Sequence, residues 1–450
     1  MSSPEGSAGR LGAALRRPAL MLALLARCLY SFVLWLLTPV YLARLWWRGR
    51  AEPAYRKRLG ERLGRFALKP RRGQGGVVWV HAVSFGETRA AAPLVQALRA
   101  ELPQMRLLLT CSTATGVAAG TELLRPEDDQ TWFPYDTPGA VRRFLKRYRP
   151  AVGVIMETEV WPNLMHAARN AHVPMVLANA RLSAKSQRKG RRFEILLRPA
   201  LAAFNRVLAQ TSRDAQRLRE SGARPVEVCG NTKFDITPPP PLLARGRLWR
   251  QALPRPVVLM AVSREGEDQP LLDAWRALSE PRPLLVVVPR HPQRFDEIAA
   301  LIERNGFSVQ RRSSWAITPP PDAAAADVWL GDTMGEMPLY YAMADVALLG
   351  GSFAPLGGQN LIEAAACGCP LVMGPHTFNF EDAALLAIEA GAAVRMKDLH
   401  HAVRRAVALA NDPRRNDWVD AALAFAGSHR GATERMAQRI AMLLTGLDSA

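Results

Sequence analysis

Ser84 and Glu87 stand three residues apart in VHAVSFGET, where a β-branched, aromatic run gives way to a helical pattern. That spacing has two readings. It is the spacing of a capping box, in which a hydroxyl and a carboxylate satisfy the free amides of a first helical turn. It also puts a carboxylate, kept ionised by the helix N-terminus, where it can accept a proton. In IMETEVWPN, Glu157 and Glu159 come at the end of another apolar run. Extended chain sends these two to one side and Thr158 to the other, an arrangement suited to catalysis or acceptor binding rather than to a core. GNTKFD carries Lys233, which either meets a developing negative charge or is simply solvated.

The second half has its own set. LVVVPRHP delivers Arg290 and His291 straight from a buried-strand pattern, and the arginine fork suits a phosphate or carboxylate. GDTMGEM (331–337) sets Gly335 and Glu336 at a strand-to-helix turn, and GGSFAPLGGQNLIEAAA (350–366) is a longer glycine-rich loop entering a helix. Free amides and close backbone approach make such turns anion sites. Glu363, one turn into that helix, can bond ribose hydroxyls. Neither loop fits the dinucleotide fingerprint or the Walker phosphate loop, which argues against nicotinamide or ATP.

Alternating strands and helices must position these residues. VVWVHAV (77–83), MRLLLTCST (105–113), AVGVIME (151–157), VPMVLANA (173–180) and RVLAQT (206–211) read as buried strands between helical stretches. The alternation restarts with PVVLMAVS (256–263), PLLVVVPR (283–290), DVWLGD (327–332), DVALLGG (345–351) and PLVMGPH (370–376). Continuous apolar strands between helices predict parallel sheets covered on both faces. The prolines of 236–246 predict a linker, since consecutive prolines continue neither helix nor sheet. The expected organisation is an anchor over 1–50, an acceptor domain over 51–235, that linker, and a nucleotide domain over 247–450. Ligands of such folds bind at the carboxyl ends of the strands.

At 450 residues, with 49% apolar and 22% charged residues, the chain is globular and exceeds one ordinary core. The net charge of +19 suits an anionic partner. Much of the excess follows the apolar stretch Cys28–Ala43, in the run WWRGRAEPAYRKRLGERLGRFALKPRR. By the positive-inside rule that run and all that follows lie on the cytoplasmic side of an uncleaved anchor, which either spans the bilayer or dips into one leaflet. The run reads as a solvated helix face, an attraction to anionic head groups, or both. Nucleic acid ranks low, because the charge sits beside an anchor without a recognised binding motif. Five scattered cysteines, none at metal or redox spacing, fit a reducing compartment; Cys367 and Cys369 read as small buried thiols.

In order along the chain, AYRKRLGERLG, VSFGET, PYDTPGAVRRFL, METEVWPN, LANARLSAKS, GNTKFD, PRHPQRF, GDTMGEM, GGQNLIEAAA and GPHTFNF resemble the Kdo (3-deoxy-D-manno-octulosonic acid) transferase family of lipopolysaccharide assembly. The resemblance implies an α/β protein of the GT-B fold, two facing Rossmann-like domains with an N-terminal membrane-anchor helix. It implies inverting transfer from CMP-Kdo to a lipid A precursor, lipid IVA, at the inner membrane, with the catalytic domains on its cytoplasmic side. It makes Glu87 the general base, and Glu157 and Lys233 transition-state stabilisers. It assigns CMP to Pro289 and Arg290, to Met334, Gly335 and Glu336, and to Asn360, Leu361, Ile362 and Glu363. No cofactor or metal is implied, and no aspartate pair of the metal-binding kind is visible. Arg264, Gln359 and Leu361 depart from the family's usual residues near the donor pocket. The competing readings are a GT-B transferase with a UDP- or ADP-linked sugar and a non-catalytic membrane adaptor.

Overall fold

Runs of leucine, valine and alanine that leave neither face fit for water become the strands of two parallel sheets. The computed structural model describes residues 6–50, 52–67 and 75–446, with side chains from Met21 onward. The chain forms two units, one of residues up to Asp235 together with those from Gly431, the other Ile236–Arg430.

The first sheet comprises β1 (Val77–His81), β2 (Arg106–Cys111), β3 (Asp129–Trp132), β4 (Val152–Met156), β5 (Met175–Ala180), β6 (Arg206–Ala209) and β7 (Val226–Val228). Their order is β3-β2-β1-β4-β5-β6-β7, parallel throughout. Alternate residues of β1 serve opposite faces. Trp79 packs with Phe144, Leu164 and Leu201, while Val78 and Val80 pack with Leu94, Leu98, Met436 and Ile440. Met436 and Ile440 belong to the helix Ala432–Thr445. The expectation of one domain over 247–450 is therefore corrected at its end, because this helix completes the first core. Asp235 fixes its start, accepting the amides of Gly431 and Thr433, each at 2.6 Å.

The second sheet comprises β8 (Val257–Ser263), β9 (Leu284–Pro289), β10 (Val309–Arg311), β11 (Val328–Leu330), β12 (Val346–Leu349), β13 (Leu371–Met373) and β14 (Ala393–Arg395). It runs β10-β11-β9-β8-β12-β13-β14, also parallel. The proline run is only partly a linker. Pro240 opens the helix Pro240–Gln251, where its missing N–H costs nothing and its ring presets φ.

The stretch expected to be an anchor lies in one long helix, Gly6–Arg48, apolar enough over Met21–Arg48 to be compatible with that role. Its half-exposed positions recur at Ala23, Arg27, Tyr30, Ser31, Leu34, Thr38, Leu42 and Leu45, one face at helical spacing. That face lies along the first unit for roughly 33 Å, at 1.5 Å per residue. The Tyr30 hydroxyl donates to Asp136 at 3.1 Å and the Ser31 hydroxyl to Asn163 at 3.1 Å. Tyr41 meets Tyr135, and Leu45 packs on Tyr55 and Trp132. The other face exposes Leu25, Leu29, Phe32, Trp35, Leu36, Val40 and Trp47.

The basic run is less solvated than its composition suggests. Glu61 and Arg62 are buried. Arg62 lies 4.0 Å over the Trp132 ring and donates to the Ser112 carbonyl. Glu61 accepts the Thr131 hydroxyl and the Trp132 amide. Ala51 and residues 68–72 of that run, with the two residues after it, lie outside the described residues, as do 1–5 of the expected anchor and 447–450 of the expected nucleotide domain.

Candidate active site

In the first sheet the chain builds outward from β1 through β2 and β3, then crosses back to place β4 on the other side of β1. Loops leaving β1 and β4 therefore diverge, and such a switch point opens a crevice at the carboxyl ends. Glu87 follows β1; Glu157 and Glu159 follow β4. The topology brings the three carboxylates together.

Ser84 is the N-cap of the helix Phe85–Glu101, accepting the Glu87 amide at 3.5 Å. The Glu87 carboxylate in turn accepts the Val83 amide at 2.9 Å, one residue before the amide that a standard capping box uses. Capping alone would hold this acid low. Instead burial pushes its pKa up to about 7, helped by the charges of Glu157 and Glu159 and opposed by the Val83 amide. Both readings of Glu87 thus coexist: the cap fixes its position, and the crowded, partly dry surroundings make it a better base.

Extended alternation is not what gathers Glu157 and Glu159. Strand β4 ends at Met156, and Glu157 adopts a left-handed φ of +60°. A non-glycine residue held there is strained by about 1–3 kcal/mol, and such residues cluster at functional sites. Its amide donates to the Ala178 carbonyl at 2.9 Å, which fixes the turn. Both acids are half-buried while Thr158 is exposed. Burial and Glu157 raise the pKa of Glu159.

Lys233 sits in the short turn Thr232–Phe234, which packs against the helix carrying Glu87. Three amide side chains hold this turn. Asn179, buried at the end of β5 with φ +52°, accepts the Thr232 amide at 3.2 Å. Asn231 accepts the Lys233 amide at 3.0 Å and donates to Gln210, which donates to the Asn179 carbonyl. Sequence reasoning missed Asn179, Gln210 and Asn231. The available signal was a polar residue inside the apolar run VPMVLANA, since a buried amide needs partners.

The second unit also has a switch point, between β8 and β12, though β11 there inserts between β9 and the edge strand β10. Glycines make the loop turns there. A Cβ at Gly350 would lie 2.2 Å from the Val262 carbonyl, and one at Gly374 would lie 2.2 Å from that of Ser352. Glu267, also missed, clamps the loop that follows. Nearly fully buried, it accepts the amides of Arg264, Gly351, Phe353 and Ala354 at 2.8–3.3 Å. Burial raises its pKa against those four amides.

Arg290 leaves Pro289, the last residue of β9, with its amide bonded to Ser263 and its side chain exposed. Its charge reaches Glu363, whose pKa burial raises and Arg290 lowers. Those two predicted residues come together. Asn360 caps the helix Leu361–Ala366 through the Ile362 amide. Leu361 and Ile362 are completely buried, so only their backbone can face a ligand. Met334 is exposed and Gly335, at φ +81°, has open space around its Cα. The Glu336 carboxylate is already engaged by Arg245 at 2.7 Å, Arg312 at 3.0 Å and the Thr333 hydroxyl at 2.5 Å. Among the described residues no group of three His, Cys, Asp or Glu side chains could hold a metal ion.

Two Rossmann-like units with charged residues at their switch points define a protein of the GT-B class. A glycosyltransferase from Rickettsia africae has this fold, with a TM-score of 0.55 at 12% identity over 84% of this chain and 100% of that one. A UDP-GlcNAc 2-epimerase from Neisseria meningitidis shares it too, with a TM-score of 0.53 at 14% identity over 82% and 100%. Residues 57–236 match the family described as 3-Deoxy-D-manno-octulosonic-acid transferase (kdotransferase). The chain is 48% identical to the 3-deoxy-D-manno-octulosonic acid transferase of Bordetella pertussis, covering 91% of this chain and 98% of that protein. It is 32% identical to the Haemophilus influenzae enzyme of the same name, over 91% and 97%. The chain belongs to the Kdo transferase family.

Proposed function

We propose that this protein transfers Kdo from CMP-Kdo to a hydroxyl of a lipid A precursor (lipid IVA), inverting the anomeric carbon. The transferases named above support the sugar. The observation that carries the chemistry is Glu87, a positioned carboxylate at the β1/β4 switch point whose pKa lies at about 7. A base with that value takes a proton at neutral pH and still exists ionised beforehand.

In this reading Glu87 takes the acceptor's hydroxyl proton as its oxygen attacks the anomeric carbon. The bond to the CMP phosphate breaks on the opposite face. Positive charge develops on the sugar ring, where the Glu157 carboxylate stabilises it. The leaving phosphate gains negative charge, met by the guanidinium of Arg290 and the Leu361 amide. Lys233 meets negative charge on the sugar, and Glu363 bonds ribose hydroxyls. Glu336 acts on the nucleotide indirectly, by holding its loop through Arg245 and Arg312.

The anchor helix lies in the interface of the inner membrane's cytoplasmic face rather than across the bilayer. Its contact with the first unit from Ala23 to Leu45 supports this, since a spanning helix would draw Asp136 and Asn163 into hydrocarbon. Exposed basic residues, Arg50 and Lys57 among them, add attraction to anionic lipid. Release of the protein from acidic vesicles should then rise with salt, and equal, salt-insensitive binding to neutral vesicles would count against it.

Glu87→Gln tests the mechanism. The amide keeps the shape and an oxygen for the Val83 amide but takes no proton. Turnover, followed by product mass, should fall about 100-fold or more with CMP affinity nearly unchanged. Near-native turnover would move the proton acceptor to Glu157 or Glu159.

A further inference from the structure

Two cavities of the first unit meet at the anchor helix and share two lining residues, Arg27 and His166. The smaller, about 290 Å³, is a crevice between the anchor helix and the helices Pro162–Asn170 and Glu194–Leu201. Leu24, Leu196, Pro199 and Ala203 give it apolar walls. Met21 and Leu24, at its mouth, are more than half exposed, so the crevice opens toward the apolar face of the anchor.

The larger cavity, about 870 Å³, adds a set of basic side chains to an apolar lining. Arg142, Lys146, Arg149 and His172 line it together with Arg27 and His166, and no aspartate or glutamate does. Asp136, whose field reaches Arg27, is buried and already accepts the amides of Asn163 and Leu164 and the Tyr30 hydroxyl. Burial, and after it the charges of Arg27 and Arg169, hold His166 below the ordinary imidazole range. So many cations repel one another unless an anion joins them. Apolar walls continuing into a basic chamber match a molecule with a chain at one end and a phosphate at the other.

We propose that this pair of cavities is a binding site for one anionic phospholipid of the bilayer, its phosphate among Arg27, Arg142, Lys146 and Arg149 and the start of an acyl chain in the crevice. A lipid seated there bridges the anchor helix to the helices Pro138–Tyr148 and Pro162–Asn170, and so ties the membrane element to the unit that carries Glu87. The site rests on the reading of the anchor as a membrane element.

The test uses the full-length protein, stripped of lipid in neutral detergent and titrated with phosphatidylglycerol or with phosphatidylcholine of the same chains, followed by native mass spectrometry. Phosphatidylglycerol should bind at least about ten-fold more tightly, the margin expected when a net charge meets several basic residues. The pair Arg142→Glu and Lys146→Glu, both exposed positions, should abolish that preference, while CMP binding and the melting temperature report an intact fold. Should that pair fail to fold, Lys146→Gln with Arg149→Gln should reduce the preference instead. Ala203→Trp, which fills the crevice, should weaken the long-chain lipid but leave dihexanoyl phosphatidylglycerol unchanged. Equal affinity for the two head groups, or a preference untouched by charge reversal, overturns the site. Inorganic phosphate displacing the lipid at equal concentration overturns the lipid assignment in favour of a free-phosphate site. Vesicle flotation separates the readings: a protein that floats with neutral vesicles but shows no lipid preference in micelles keeps its anchor and loses this site.

Discussion

Two parallel seven-stranded sheets in one chain carry opposite chemistry at their carboxyl ends. In the first unit Glu87, Glu157 and Glu159 crowd one another at the β1/β4 switch point, and Glu87 is raised to about 7. In the second unit the carboxylates are mostly committed. Glu267 is bonded to four backbone amides, and Glu336 to two arginines and a threonine. There the exposed group is a cation, Arg290. A glutamate after a strand is therefore not one kind of residue. Left beside other carboxylates and partly dried, it keeps its proton to a higher pH; given amides or guanidinium groups, it becomes a clamp that shapes a loop.

The strongest way to break this contrast is at Glu267. Glu267→Ala leaves four backbone amides without their acceptor, a loss of about 3 kcal/mol or more. The second unit's melting transition should fall and CMP binding with it. Unchanged melting and CMP affinity would mean that Glu267 does not hold the glycine-rich loop.

Arg290→Ala comes next. A hydrogen bond to a charged phosphate contributes about 1.5–3 kcal/mol, so CMP should bind roughly ten- to a hundred-fold more weakly by calorimetry. The first unit should be untouched. Unchanged CMP affinity would remove Arg290 from the donor site and leave the second unit without its exposed cation in that role.

The smallest effect sharpens the first half of the comparison. Glu87 is raised from 4.5 to about 7 on folding, so the folded chain favours its protonated form. Its contribution to stability is complete below pH 4.5 and is lost as pH rises through 7. Glutamine does not titrate. Relative to wild type, Glu87→Gln should gain about 1–2 °C in melting temperature between pH 5 and pH 8, a modest figure because solvent screens a partly exposed group. A gain in the other direction would show that Glu87 is stabilised as an anion and serves chiefly as a cap.

The sequence alone determined the interior of each sheet. Long apolar runs such as AVGVIME and PLLVVVPR are buried on both faces, and burial on both faces leaves no choice but a continuous apolar string. The four edge strands, β3, β7, β10 and β14, were not legible. Each is three or four residues long and partly exposed, and each pairs on one side only. Such short strands need little hydrophobic patterning and leave little signal. The N-terminal helix was legible as an apolar stretch, but its lie along the first unit depends on Asp136 and Asn163, more than a hundred residues away. The return of the last helix to the first core is equally a matter of tertiary contact.

Within the candidate site, Glu87, Glu157, Lys233 and Arg290 could be picked out because strand ends in α/β folds are where ligands meet the chain. What each carboxylate does could not. Glu87 and Glu336 both follow a strand and enter a helix, and nothing local separates a cap, a clamp and a base. The separation comes from groups distant in sequence: Glu157 and Glu159 beside the one, Arg245 and Arg312 beside the other. Sequence order decides where a charge can stand; its protonation and partners follow from the field of neighbours that only folding assembles.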